Sequence, residues 1–249
     1  MKRILYTILT LLFITSGIYA KRVLFVGDSV TDGGWGNSAG QATPTAERNQ
    51  WDQNHIFGHS YMMLCAAHFL AANPENDLEF FNRGISGDDL QRIEDRWQED
   101  VISMNPDIVS LLVGTNDIHY YLEKKESAFD YQQWEQRYRH LLDELRSANP
   151  KVKIILGTPF VARVGRIGES EDFALREEMV HRLADIVEKI AKDYGAILLR
   201  YDTLFASQKQ IHPTVPMKHW IWDGIHPTAA GHQLMVDLWI GQSGSIIVD

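Results

Sequence analysis

The sequence predicts an α/β fold: a three-layer α/β/α sandwich around a parallel sheet of about five strands. Three observations predict it, namely short unbroken apolar runs, helical-period segments between them, and glycine or proline where the segments stop. A strand in a parallel sheet is covered on both faces, so it reads as a continuous apolar run and not as an alternation. Residues 23–26, 78–81, 108–113, 153–156 and 196–199 read this way. Between the second and third runs, Leu90, Ile93, Trp97, Val101 and Met104 recur at helical spacing, and Pro106 ends that helix. Tyr131, Trp134, Tyr138, Leu141, Leu142 and Leu145 predict the next helix. Leu175, Met179, Leu183, Ile186, Val187 and Ile190 predict a third, closed by Gly195. These aromatics belong to the core. A last helix follows Pro227, which suits its first turn, and runs to about Ile240.

The chain has 249 residues, 45% hydrophobic and 23% charged, enough for a single sizeable core. Its first twenty residues differ from the rest. Lys2 and Arg3 precede an apolar run, residues 4–14, and a segment that ends on the small residue Ala20. This is a signal-peptide pattern, with cleavage expected after Ala20. The competing reading is an uncleaved anchor, because residues 4–20 fall just short of spanning length. A first strand that begins at once at Arg22 leaves no linker, which favours cleavage. The expected organisation is therefore a signal peptide over 1–20 and one domain over 21–249. The product would be exported, periplasmic or secreted, with no stable membrane insertion after cleavage.

Cys65 is the one cysteine, so no intramolecular disulfide can form. It stands among Met62, Met63, Leu64 and Ala66 and reads as a small buried hydrophobe. The net charge is −9 and grows more negative once Lys2 and Arg3 leave with the signal. That disfavours a nucleic-acid or anionic-membrane partner on electrostatic grounds. No pattern fixes an oligomeric state.

Four short motifs carry chemistry, in one order: Gly27-Asp28-Ser29, Asn82-Arg83-Gly84, Gly114-Thr115-Asn116-Asp117 and Asp223-Gly224-Ile225-His226. A serine hydroxyl is unreactive at neutral pH unless a base takes its proton. Ser29 is the candidate nucleophile, His226 its general base and Asp223 the group that orients the imidazole. The backbone N–H groups of Ser29 and Gly84 and the side-chain amide of Asn116 are candidate donors to an oxyanion. The predicted sheet supports this independently. Ser29, Gly84 and Asn116 each follow a strand, and in an open parallel sheet the carboxyl ends of the strands share the edge where ligand sites form. Asp28 and Asp117 are expected to hold loops through hydrogen bonds.

In these motifs the chain resembles the SGNH (GDSL) hydrolase family, from the first strand at Arg22 to the last helix near Ile240. The resemblance implies a flavodoxin-like sandwich and a serine esterase that needs no cofactor. Asn82-Arg83-Gly84-Ile85-Ser86-Gly87, then Arg96-Trp97-Gln98-Glu99-Asp100 and Pro106-Asp107, is similar to the bacterial acetylxylan-esterase branch, as is residues 222–227. That likeness implies an acetylated carbohydrate substrate outside the cytoplasm.

Residues 30–59 form a long polar loop carrying Trp35 and Trp51, and Trp220 and Trp222 flank Asp223. Trp35, Trp51 and Trp222 are candidate sugar contacts, and each can equally pack a loop. Other motifs carry less. Gly36-Asn37-Ser38-Ala39-Gly40 matches a nucleophile elbow but lies in the wrong context, neither after a strand nor before a helix. His55 and His59 have a metal-ligand spacing without a third ligand, so no metal is expected. Two rival functions remain. One is a lipid-directed esterase, lysophospholipase or thioesterase with the same residues; the other is a non-catalytic sugar or phosphate-binding module, which Asp28 and Asp32 oppose by their charge.

Overall fold

The computed structural model describes residues 20–34, 37–38, 41–42, 57–124 and 128–248. Five strands, β1 (Lys21–Gly27), β2 (Leu78–Gly84), β3 (Ile108–Leu112), β4 (Lys153–Gly157) and β5 (Ile197–Leu199), form one sheet in the order β2-β1-β3-β4-β5. Every pairing is parallel. All five apolar runs form strands, with ends shifted by a few residues. Asn37–Ser38 and Gln41–Ala42 add a small antiparallel pair.

The helices in chain order are α1 (Ser29–Asp32), α2 (Tyr61–Ala72), α3 (Leu90–Asp95), α4 (Trp97–Asp100), α5 (Thr115–Lys124) and α6 (Tyr131–Ala148). After them come α7 (Gly165–Gly168), α8 (Phe173–Tyr194), α9 (Tyr201–Ile211), α10 (Ala229–Ser243) and α11 (Ser245–Val248). Alternate residues of β1 serve opposite cores, as the period of a strand requires. Val23 and Phe25 pack with Phe69 of α2, Phe205 of α9 and Trp239 of α10. Leu24 and Val26 pack with Leu90 of α3, Leu141 of α6 and Leu183 of α8. The result is the expected three layers. Trp239 is fully buried, stacks on Phe25 at 5.1 Å and donates its indole N–H to Ser110 Oγ at 3.1 Å. It fixes α10, and with it the loop before α10, to the middle of the sheet.

The helix expected from Leu90 to Met104 is broken into α3, α4 and a 3₁₀ turn at Ile102–Met104. The break falls at Arg96, whose backbone (φ −113°, ψ 5°) leaves the helical region while its side chain turns into the structure. Leu90, Ile93, Trp97 and Val101 nonetheless stay buried, so the apolar stripe is satisfied by separate turns. Pro227 is not in the first turn of α10 but two places before its first residue, Ala229, just ahead of the N-cap Thr228.

Where the strands end, backbone meets backbone too closely for side chains. A Cβ on Gly84 would stand 2.4 Å from Asp32 N and 2.9 Å from Asp32 Cα. One on Gly27 would meet Leu112 O and Thr31 Oγ1, both at 2.5 Å. Gly84→Ala must therefore push the end of β2 away from α1. Overpacking of this kind costs about 1–3 kcal/mol, so thermal unfolding should occur roughly 2–10 °C lower than in the parent. An unchanged midpoint would show that this contact has slack.

Candidate active site

Ser29 opens α1 directly after β1. Asp28 caps the helix, its carboxylate accepting from Val30 N–H at 2.9 Å, and Gly33 closes it in the left-handed region at φ 62°. The N–H of Ser29 is at a helix start, where no intrahelical acceptor exists. The last loop delivers His226, the candidate base. Trp222 N–H donates to His226 O at 3.1 Å and Ile221 bridges Pro227, folding residues 221–227 into a tight hairpin. Gly224 turns it at φ 104°, where a Cβ would also strike Ile167 Cβ at 2.7 Å.

Within that hairpin Asp223 works with both oxygens. Oδ1 accepts the backbone N–H groups of Ile225 (3.0 Å) and His226 (2.8 Å), and Oδ2 accepts Nδ1–H of His226 at 2.8 Å. A carboxylate only accepts, so Nδ1 carries the hydrogen and Nε2 is left as an acceptor. Ser29 Oγ lies 2.8 Å from that Nε2 and donates to it. Residues from the two ends of the chain thus form one continuous chain of hydrogen bonds. Burial works against the charge of Asp223, but its bonds from the His226 ring, His226 N–H and Ile225 N–H outweigh burial and hold its pKa at about 2. The bond to Asp223 in turn raises the pKa of His226 above its ordinary value, against partial burial, and the charge of Asp28 adds to the rise.

Asn116 is the second residue of α5, shortly after the end of β3, and is buried. Its amide donates one hydrogen to Asp88 O at 2.9 Å, leaving the second for another acceptor. Gly84 differs from expectation in one respect: its N–H already donates to Asn82 Oδ1 at 2.9 Å, so an oxyanion would have to share it. Asn82 is the hub of this corner. Its Nδ2 lies within 3.2 Å of the carbonyls of Thr31, Asp32 and Phe57.

Asp28 and Asp117 hold loops as expected. Asp117 accepts from Leu90 N–H at 3.1 Å and Trp134 Nε1–H at 2.8 Å, pinning α5 to α3 and α6. Burial pushes Asp28 up to about 6 and Asp117 up to about 7, only partly offset by these bonds. The sequence reading missed a second buried network. Arg96 Nε and Nη1 lie 2.8 Å from Asp88 and Asp100, and its Nη2 reaches Gly27 O at 3.4 Å. One guanidinium thereby ties the nucleophile loop to the turn that holds Asn116. The signal was present as Arg96 and Asp100, an i,i+4 pair inside an apolar helical stripe.

The tryptophans separate. Trp222 is 61% exposed and lies beside His226, ring centroids 6.3 Å apart at 28°. Trp220 packs against His212 and His219 and lines a cavity of about 470 Å³ with Val161, Phe205 and Met217, whose lining includes neither Ser29 nor His226. Trp35, Trp51 and His55 lie outside the described residues. Among the described residues no three His, Cys, Asp or Glu side chains gather as metal ligands.

Fold and site together define a carboxylic ester hydrolase. The chain belongs to the GDSL-like lipase/acylhydrolase family, whose model matches residues 25–234. An acetylxylan esterase from Geobacillus stearothermophilus is 31% identical over 228 residues, covering 90% of this chain and 94% of that protein. The solved structure of Axe2, an acetylxylan esterase from the same organism, is 26% identical, with TM-score 0.69 over 90% of this chain and 94% of that one. Solved catalytic mutants of Axe2 replace a serine, and an aspartate and a histidine three residues apart. A GDSL-like lipase candidate from Parabacteroides merdae is 27% identical, with TM-score 0.76 over 91% of this chain and 98% of its own.

The hydrogen-bonded chain sets a pH dependence. A base must be neutral, so activity falls as pH drops through the raised pKa of His226, above the ordinary value of about 6.5. Asp223→Asn removes the main cause of the rise, so the acid limb of kcat/KM should move to lower pH. In the same variant kcat should fall by up to roughly 10⁴, because the amide can stabilise the wrong tautomer. An acid limb that stays in place would detach it from His226.

Proposed function

We propose that this protein is an exported carbohydrate acetylesterase that passes the acetyl group through Ser29 to water. The observation that carries the reading is the pair of 2.8 Å contacts, Ser29 Oγ to His226 Nε2 and His226 Nδ1 to Asp223 Oδ2. Ser29 Oγ attacks the ester carbonyl as its proton passes to Nε2, and Asp223 stabilises the imidazolium that results. The developing oxyanion takes hydrogen bonds from Ser29 N–H and the second hydrogen of Asn116, with Gly84 N–H shared between it and Asn82 Oδ1. Collapse breaks the bond to the sugar oxygen, which receives the proton from His226. Water then attacks the acyl-serine, His226 takes its proton, and acetate leaves as Ser29 recovers its own.

Two features support a sugar ester. The acetylxylan esterase relative is similar over nearly its full length, and Trp222 offers an exposed indole face next to the base. Such a face suits the apolar side of a sugar ring. Trp35 and Trp51 belong to the same proposal as further sugar contacts. Export rests on the pattern of residues 1–20.

Ser29→Ala should lower kcat by roughly 10⁶ with an unchanged unfolding midpoint, and pairing it with His226→Ala should add little, since triad members act as a unit. Retained turnover by Ser29→Ala would end the mechanism. For the substrate, acetate esters should be cleaved faster than octanoate esters. Trp222→Ala should cost about 1–3 kcal/mol on acetylated oligosaccharide and far less on a small activated acetate. Preference for octanoate, with equal losses on both acetate substrates, would favour the lipid-directed reading instead.

A further inference from the structure

Helix α7 is pressed against the loop that carries Asp223 and His226. Gly165 stands at φ 59°, where a Cβ would lie 2.6 Å from Trp222 O and 2.7 Å from Asp223 Cα. Ile167 N–H donates to Asp223 O at 3.0 Å. Arg166 stands between these two anchors, so its backbone is fixed beside Trp222 and Asp223 while its side chain is exposed. It makes no hydrogen bond or ion pair among the described residues. Its charge opposes protonation of both His226 and His119, so the guanidinium acts electrostatically on both.

The neighbouring charges are already engaged. Arg176, buried on α8, has Nη1 3.2 Å from His119 Nδ1 and Nη2 3.6 Å from Asp172. Because a guanidinium only donates, His119 Nδ1 accepts, and its Nε2–H faces Glu123 at 3.3 Å. Asp172 and Glu123 are thus committed to the seam between α5 and α8, and Asp28 is buried, its carboxylate capping α1. A protein of net charge −9 therefore presents an uncommitted cation at the rim of its ester site.

We propose that Arg166 is a subsite for a carboxylate on the substrate, so that the enzyme prefers acetylated oligosaccharides bearing a uronic acid next to the acetylated sugar. This rests on the carbohydrate reading above. A planar guanidinium matches a carboxylate with two parallel hydrogen bonds, and a local positive charge offsets the repulsion a polyanionic glycan meets from this acidic protein. The carboxylate can sit on a branch or in the backbone of the glycan, and the substrates tested separate the two.

The test compares kcat/KM, at one pH above the acid limb, on an acetylated xylo-oligosaccharide, the same oligosaccharide with a glucuronic acid branch, and an acetylated oligogalacturonate. The parent should favour one of the acidic substrates over the neutral one, which also identifies the source of the carboxylate. In Arg166→Gln that ratio should fall about tenfold to hundredfold, chiefly through KM, with partial rescue in Arg166→Lys. The parent's preference should also weaken as salt rises. A ratio near one in the parent, or a ratio unmoved by Arg166→Gln, overturns the subsite. If the parent cleaves the neutral oligosaccharide well, that failure leaves the carbohydrate reading intact. If it cleaves none of the three but hydrolyses long-chain acyl esters, the carbohydrate reading fails and takes the subsite with it.

Discussion

At the carboxyl edge of the sheet the ends of β1 and β2 lie against the first turn of α1 with no side chain between them. Gly27 and Gly84 are opposite each other in register, and at both a methyl group would fall within 2.5 Å of a neighbouring atom. This contact sets the position of everything above it. It lets α1 start directly off the central strand, so that Ser29 occupies the first helical position, where its N–H has no intrahelical acceptor. It also lets Asn82 reach across to the carbonyls of Thr31 and Asp32, locking the second loop to the first. Ser29 is held by backbone packing, which changes little with pH or salt.

The remaining components are delivered by separate elements, and each needs its own anchor. Trp239 holds α10 against the sheet and so carries the Asp223–His226 hairpin to the edge. Asp117 and Arg96 do the same for Asn116, one through α3 and α6, the other through Asp88. Most of the buried charge near the site is structural: Asp28 caps a helix, Asp117 joins three, and Arg96 joins two loops. Only Asp223 combines both tasks, one oxygen shaping its own hairpin and the other setting the tautomer of His226.

Much of this was legible in the sequence because it follows from periodicity and order. The five strands are continuous apolar runs, and the helices of residues 131–148 and 173–194 keep a clean helical stripe. That Ser29, Asp223 and His226 meet was legible because a motif order of this kind brings them to one sheet edge. What was not legible depends on side chains turning against their pattern. Arg96 sits in an apolar stripe and turns inward to two carboxylates, which breaks a helix that the spacing alone would continue. The bond from Gly84 N–H to Asn82 Oδ1 depends on a side-chain rotamer, which no spacing encodes. Trp220 and Trp222 look alike in sequence, yet the hairpin turns one against two histidines and the other out beside His226.

The central claim is that an acyl group passes through Ser29. Rapid quenching in acid of the parent protein with an activated acetate ester, followed by mass analysis of its peptides, tests this directly. The account predicts a peptide containing Ser29 that is heavier by one acetyl group early in turnover, and no such peptide from Ser29→Ala. Full turnover with no acetyl on that peptide, or acetyl found on a different residue in kinetic competence, would contradict it.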